Sequence, residues 1–257
     1  MQELKKQGKE MFYGNFSDER KPQFREALKN FKGIFKRVYA QDNLITFNRN
    51  LTFFSHDKKF EASFNKNAKT EQEKSLAWRL HTLCWASKLA LKVPGDFVEC
   101  GVWHGFSFQV ITDYLDFGQV PKQLYLYDTY EGIPESYNSE NRSNGAYAND
   151  KNVYEKVVER FSPMRNVQVV KGTVPDSFAQ ACPDKIALLH IDMNSSKSEI
   201  AALACLFDRV SLGGIIIFDD FGWLGYDKQT VAEIDFMRER GHEILELPTG
   251  QGMMIKT

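Results

Sequence analysis

The stretch Gly95-Asp96-Phe97-Val98-Glu99-Cys100-Gly101-Val102-Trp103-His104-Gly105-Phe106-Ser107 carries a short apolar strand into an acid, a glycine-bearing turn and a helix rich in Phe, Val, Ile and Tyr. Strand, turn and helix in that order open a nucleotide- or nucleoside-binding site in an α/β sheet. The spacing is Glu99-x-Gly101-x-x-x-Gly105, not G-x-G-x-x-G. A dinucleotide needs the latter, because its pyrophosphate lies against a helix N-terminus. A ligand without a pyrophosphate, such as S-adenosylmethionine, still needs backbone to approach where a Cβ would intrude, and glycine allows this.

Outward from this turn the alternation is regular. Strands are predicted at 97–100, 124–127, 167–170, 186–191, 215–218, 243–247 and 253–255, with helices at 104–116, 153–161, 197–208 and 228–240. Strands alternating with helices imply an α/β fold: a doubly wound, mostly parallel, seven-stranded Rossmann-like sheet. Only Pro248-Thr249-Gly250-Gln251-Gly252 separates the last two strands. That is too short for a crossover helix, so the last strand is expected to be antiparallel.

Residues 1–93 read as an N-terminal helical extension and 94–257 as the ligand-binding domain. Phe24, Leu28, Phe31, Phe35 and Val38 recur at spacings of three and four, with Lys29, Lys32 and Lys36 between them, as in an amphipathic helix. Such a helix docks on a core or a second subunit, or its Lys and Arg attract an anionic substrate or surface. The aromatics of this region suggest a homo-oligomer. Residues 48–69 resist assignment, and a second helix is predicted over 71–91, ended by Pro94 and Gly95.

The bulk numbers narrow the class. The 257 residues carry 42% hydrophobic and 26% charged residues and a net charge of -1, with no electrostatic case for nucleic acid. No apolar run reaches the roughly 20 residues that span a bilayer. The N-terminus lacks a signal-peptide core, and Cys84, Cys100, Cys182 and Cys205 form no C-x-x-C pair. A cytoplasmic protein with reduced thiols is the expectation.

Ligands of doubly wound sheets sit beyond the C-terminal strand ends, and acids stand there: Glu99, Asp128, Asp192 and Asp219-Asp220. Asp128 falls where an acid bonds ribose hydroxyls, or it caps the following turn. Asp192, Asp219 and Asp220 end neighbouring strands, and three converging carboxylates need protons or a cation. Oxygen ligands suit a hard ion such as Mg²⁺; the alternative is helix capping and loop anchoring. Adjacent strand residues face opposite ways, so Asp219 and Asp220 act together only if the strand ends between them. Ser195 and Ser196 read as helix caps, and His81 and His190 as structural. His104 is the histidine placed near a ligand, and Cys100 is a small residue beside it. The polar stretch 131–152 could close over a substrate.

At this point the chain resembles the macrocin O-methyltransferase family. The likeness lies in Val93-Pro94-Gly95-Asp96-Phe97-Val98-Glu99-Cys100-Gly101-Val102-Trp103, Tyr127-Asp128-Thr129-Tyr130-Glu131-Gly132-Ile133-Pro134, His190-Ile191-Asp192-Met193, Asp219-Asp220-Phe221-Gly222 and the closing Gly250-Gln251-Gly252-Met253-Met254-Ile255-Lys256. It covers about residues 90–257. It implies S-adenosylmethionine- and Mg²⁺-dependent methylation of a sugar hydroxyl, on a nucleotide-activated sugar for surface polysaccharide or on a glycosylated small molecule. Glu99, Gly101 and Asp128 would hold the cofactor, and Asp192, Asp219 and Asp220 the metal. Val102, Trp103, Gly105, Ser107, Thr129 and Gly172 are further cofactor candidates, and Asp192, Asn194 and His104 the catalytic ones. The departure is Asn194, where the family commonly has an acid taken as general base. An amide accepts no proton. Either another residue is the base, or the metal alone acidifies the hydroxyl, or activity is lost and the chain is a cofactor-binding or interaction protein.

Overall fold

Residues 186–191, Ile-Ala-Leu-Leu-His-Ile, are buried along their whole length, as in the centre of a parallel sheet covered on both faces. The computed structural model describes residues 18–140, 142–144 and 150–257. Contacts divide the chain into Met1–Thr82 and Leu83–Thr257, where the sequence suggested 93/94.

In the first unit, α1 (Lys21–Ile34) buries Leu28 and half-buries Phe24 and Phe31 on the same face. The expected helix continued to Val38. It stops at Ile34, and Phe35 turns extended. Val38 instead opens a hairpin, β1 (Val38–Gln41) and β2 (Leu44–Phe47). Asp42 and Asn43 both take positive φ, 52° and 57°, the primed two-residue turn whose twist matches the strands. The purely helical reading of 1–93 is therefore corrected. Residues such as Tyr39, Ile45 and Thr46 prefer a pleated surface, and Asp-Asn is a competent turn. Asp42 is buried against Arg79 at 2.8 Å.

The unassigned stretch holds α2 (Thr52–Ser55) and α3 (Lys58–Asn67), the latter capped by Asp57. The helix predicted over 71–91 is two: α4 (Glu71–Ser75), with a Thr70–Glu73 capping box, and α5 (Ala77–Ala90). Phe53 packs on Trp78 and His81 at 5.4 and 4.8 Å between centroids.

The second unit contains the sheet. In chain order it runs β3 (Asp96–Cys100), α6 (Phe106–Leu115), β4 (Leu124–Asp128), α7 (Val153–Phe161), β5 (Val167–Lys171), β6 (Ile186–Ile191), α8 (Ser196–Leu206), β7 (Val210–Phe218), α9 (Asp227–Arg238), β8 (Leu245–Glu246) and β9 (Gly252–Ile255). The sheet order is β5-β4-β3-β6-β7-β9-β8. β5 to β7 are parallel, and β9 is antiparallel to both β7 and β8. All seven predicted strands form. Leu189, Ile191, Ile216, Phe218 and Met254 build one core with Leu203, Leu206, Phe236 and Met237 of α8 and α9.

The strand order reverses between β3 and β6, and the site belongs at that switch. Ladder bonds carry the chain past the strand ends there. Gly101 N donates to Tyr127 O at 2.9 Å, Asp192 N to Cys100 O at 2.8 Å and Asp219 N to Ile191 O at 3.0 Å. β7 ends at Phe218, as the predicted strand 215–218 did, so both acids lie in the turn and the strand alternation that would have set them on opposite faces does not reach them. Of the polar stretch 131–152, residues 141 and 145–149 lie outside the described residues; 135–137 form one short turn of helix.

Candidate active site

The β3–α6 turn owes its glycine to the protein itself. Gly101 sits at φ +93°, and a Cβ there would stand 1.8 Å from the carbonyl oxygen of Asp192. The glycine lets two strand ends touch across the switch point, a requirement of the fold beside the access to a ligand that the sequence suggested. Gly105, at φ +72°, turns into α6 where a Cβ would meet the Phe161 ring at 2.9 Å.

Asp128 holds the same turn. Its Oδ2 accepts from Val102 N at 2.7 Å and Trp103 N at 2.8 Å, and its Oδ1 from Tyr130 N at 2.7 Å. Trp103, Tyr130 and Asn194 all hold positive φ, 45°, 57° and 57°. Non-glycine residues in this region cluster at functional sites.

A cleft of about 680 Å³, open mouth included, lies over these strand ends. Gly101, Trp103, Asp128, Thr129, Gly172, Asp192, Met193 and Asn194 line it, and Ile133, Pro134 and Val174 supply apolar wall. Five of the nine sequence-predicted cofactor residues thus face it, together with Asp192 and Asn194. Glu99, Val102, Gly105 and Ser107 do not line it, nor does His104. The His104 Nε2 lies 3.1 Å from Asp150 Oδ2, and its carbonyl accepts from Arg160.

Beneath the cleft, His190 is buried between two acids. Its Nδ1 is 3.0 Å from Glu99 Oε1, and its Nε2 faces Asp219 Oδ1 at 3.5 Å, an ion-pair distance without hydrogen-bond alignment. Burial pulls the imidazole down, but Asp219 and Glu99 outweigh it and push His190 up to about 10. Burial raises Glu99 to about 7 against the pull of His190. Its Oε2 is buried with no partner among the described residues.

His190, Asp192 and Asp219 each bring a ligand atom within 4.8 Å of the others. Asp220 is outside that group but acts on it. Burial first, then Asp219 and Asp220, holds Asp192 well above the usual carboxylate range. A site that resists its own negative charge and offers oxygens fits a hard divalent cation. Cys100 is pushed well up by burial and is no nucleophile.

Asn194 and the start of α8 have their own frame. Asn194 Oδ1 accepts from Tyr226 Oη at 2.5 Å, and the Arg142 guanidinium lies 3.7 Å from the Tyr226 ring centroid. Ser195, the N-cap of α8, also donates to Tyr137 O at 2.6 Å, and Lys197 Nζ to Ser136 O at 2.7 Å. Ser136 and Tyr137 are thereby fastened to the first turn of α8. Sequence reasoning missed Tyr226 and Gln251. The first stands on no motif, and the second was read only as hairpin.

This sheet order, with its cleft at the switch point, is the fold of known O-methyltransferases. The structure of the O-methyltransferase NovP matches at TM-score 0.59 and 22% identity, covering 70% of this chain and 79% of that one. The calicheamicin methyltransferase CalS11 matches at TM-score 0.62 and 15% identity, covering 94% and 98%. The chain belongs to the macrocin-O-methyltransferase (TylF) family, whose model matches residues 19–244. Among curated relatives, the 8-demethyl-8-(2,3-dimethoxy-alpha-L-rhamnosyl)-tetracenomycin-C 4'-O-methyltransferase of Streptomyces olivaceus is 30% identical over 149 residues. That alignment covers 54% of this chain and 57% of the relative, so the chain spans little more than half of its length. No helix among the described residues is long and apolar enough to cross a membrane.

Proposed function

We propose that this protein is an S-adenosylmethionine-dependent O-methyltransferase acting on a sugar hydroxyl, with residues 94–257 as its catalytic domain. The observation that carries the reading is one cleft that brings Gly101, Trp103 and Asp128 together with Asp192 and Asn194. Gly101, Trp103, Asp128, Thr129 and Gly172 would hold the cofactor, which supplies an electrophilic methyl group on a sulfonium. The buried Glu99 carboxylate beneath the turn favours that positive charge.

Methyl transfer from a sulfonium releases a neutral leaving group, so the protein's work is mostly alignment and water exclusion. Ile133, Val174 and Met193 shed water from the cleft. Asp192 and Asp219, whose ligand atoms already converge, would hold Mg²⁺, with Asp220 of the same turn as the further candidate; the ion would lower the pKa of a bound hydroxyl. Asp192 lines the cleft together with Asn194 and is our candidate to take the proton, once a bound cation has brought its raised pKa down. A rhamnosyl relative and the apolar wall favour a deoxysugar, either on a glycosylated small molecule or nucleotide-linked.

Calorimetric titration with S-adenosylhomocysteine, with and without Mg²⁺, tests the cofactor half. A screen of deoxysugar acceptors with methyl-labelled cofactor tests the rest. Micromolar binding and label transfer are expected. Binding without transfer to any acceptor would favour the non-catalytic reading that Asn194 motivates, and no binding would overturn both.

A further inference from the structure

We infer that Gln251, from the β8–β9 turn, is a positioning residue for Asp219. Gln251 is fully buried, and its Nε2 donates to Asp219 Oδ1 at 2.9 Å. Its amide has one orientation, because Thr249 Oγ1 donates to Gln251 Oε1 at 3.0 Å. A flipped amide would set Oε1 against the carboxylate, acceptor against acceptor. The turn is itself tied to the one that carries Asp219: Gly222 N donates to Gly250 O at 2.8 Å, and Trp223 Nε1 to Thr249 O at 3.2 Å.

The chemistry of the donor matters. A lysine or arginine at 251 would neutralise Asp219 and compete with a cation. A neutral amide orients the carboxylate and leaves its charge in place. His190 stands against the same oxygen at 3.5 Å, so Oδ1 has two neighbours on the protein side. Residues 249–251 lie outside the span matched by the family model, 19–244, and the role follows from this chain's own hydrogen bonds.

The inference rests on the reading of Asp192, Asp219 and Asp220 as cation ligands. Mn²⁺ is the probe, its free fraction followed by electron paramagnetic resonance, with S-adenosylhomocysteine affinity measured in parallel by calorimetry. Gln251→Leu is expected to weaken Mn²⁺ about 10-fold or more, as for other groups that orient metal ligands, with cofactor-product affinity held within about twofold. Thr249→Val should weaken Mn²⁺ less, and the double variant no more than Gln251→Leu alone. Unchanged Mn²⁺ affinity in folded Gln251→Leu would overturn the inference, as would equal losses of Mn²⁺ and S-adenosylhomocysteine, which mark a merely structural role. Should Gln251→Leu not fold, Thr249→Val decides by the same two readouts. Wild-type protein that binds no Mn²⁺ would remove the cation reading and this inference with it, a result distinct from the others.

Discussion

The hydroxyl of Tyr226 donates to Oδ1 of Asn194 at 2.5 Å, across the gap between α9 and the end of β6. That bond uses the oxygen of the amide and leaves the NH₂ as the group Asn194 offers to the cleft it lines. A donor at this point holds an acceptor oxygen; it does not take a proton. Asn194→Asp is therefore expected to lower kcat/KM for the acceptor about tenfold, the worth of one hydrogen bond, without changing S-adenosylhomocysteine affinity. Tyr226→Phe should do the same to a smaller extent, and the double variant should be less than additive. Steady-state kinetics on the acceptor found by screening checks this; a rise in kcat for Asn194→Asp would mean that the amide is an impaired base.

Gly101→Ala should be among the most damaging substitutions in the chain. It strains a residue at φ +93° and drives a methyl to 1.8 Å from the Asp192 carbonyl oxygen. One of the two strand ends must move, at a cost of more than about 3 kcal/mol. A thermal melt should show the loss, and S-adenosylhomocysteine binding should disappear with it. A variant of wild-type stability would mean that the switch point is looser than the contact implies.

Much of the second unit is legible in the sequence because its periods are clean. Ile186 to Ile191 is an apolar run of strand length, and the five residues between 247 and 253 cannot hold a crossover. The acids at the strand ends follow from the same logic. The hairpin at 38–47 is hidden because Phe24, Leu28, Phe31, Phe35 and Val38 keep a helical spacing beyond the point where the helix stops. The roles of Tyr226, Gln251 and His190 are hidden for another reason. Each depends on a partner 32 to 91 residues away, Asn194, Asp219 and Glu99, and no local pattern records that distance. Gly101 is visible in the sequence as a glycine in a turn, but its contact with the Asp192 carbonyl is not, because that partner lies on another strand end.

His190→Leu should be costly out of proportion to its size. The imidazole is the charge that lies between Glu99 and Asp219, and removing it leaves buried Glu99 facing an apolar group. Breaking a buried pair from one side costs about 3–5 kcal/mol. Chemical denaturation should report a loss in that range near neutral pH. His190→Leu combined with Glu99→Leu should recover part of it, because no unpaired charge remains. A double variant no better than the single one would show that shape, not charge, governs this part of the core.

Glu199 of α8 and Glu233 of α9 are both fully buried, and they meet. Glu199 Oε1 accepts from Met193 N at 3.0 Å, so the pair stands behind the turn that carries Asp192 and Asn194. Burial is the first cause that pushes both carboxyls up, and Glu233 reaches about 7. A carboxyl raised on folding binds its proton more tightly in the native state than in the unfolded one. Its contribution is fully present below the unfolded value of 4.5, and it is lost as pH rises through about 7. The protein should therefore lose stability between pH 4.5 and 7 from Glu233, by on the order of 3 kcal/mol. Glu233→Gln keeps the volume and supplies a donor that does not titrate. It should flatten that part of the pH profile and raise stability at pH 8, where the native pair is forced to carry charge. Denaturant melts from pH 4.5 to 8 decide the matter: an unchanged slope in Glu233→Gln would show that the proton is held elsewhere.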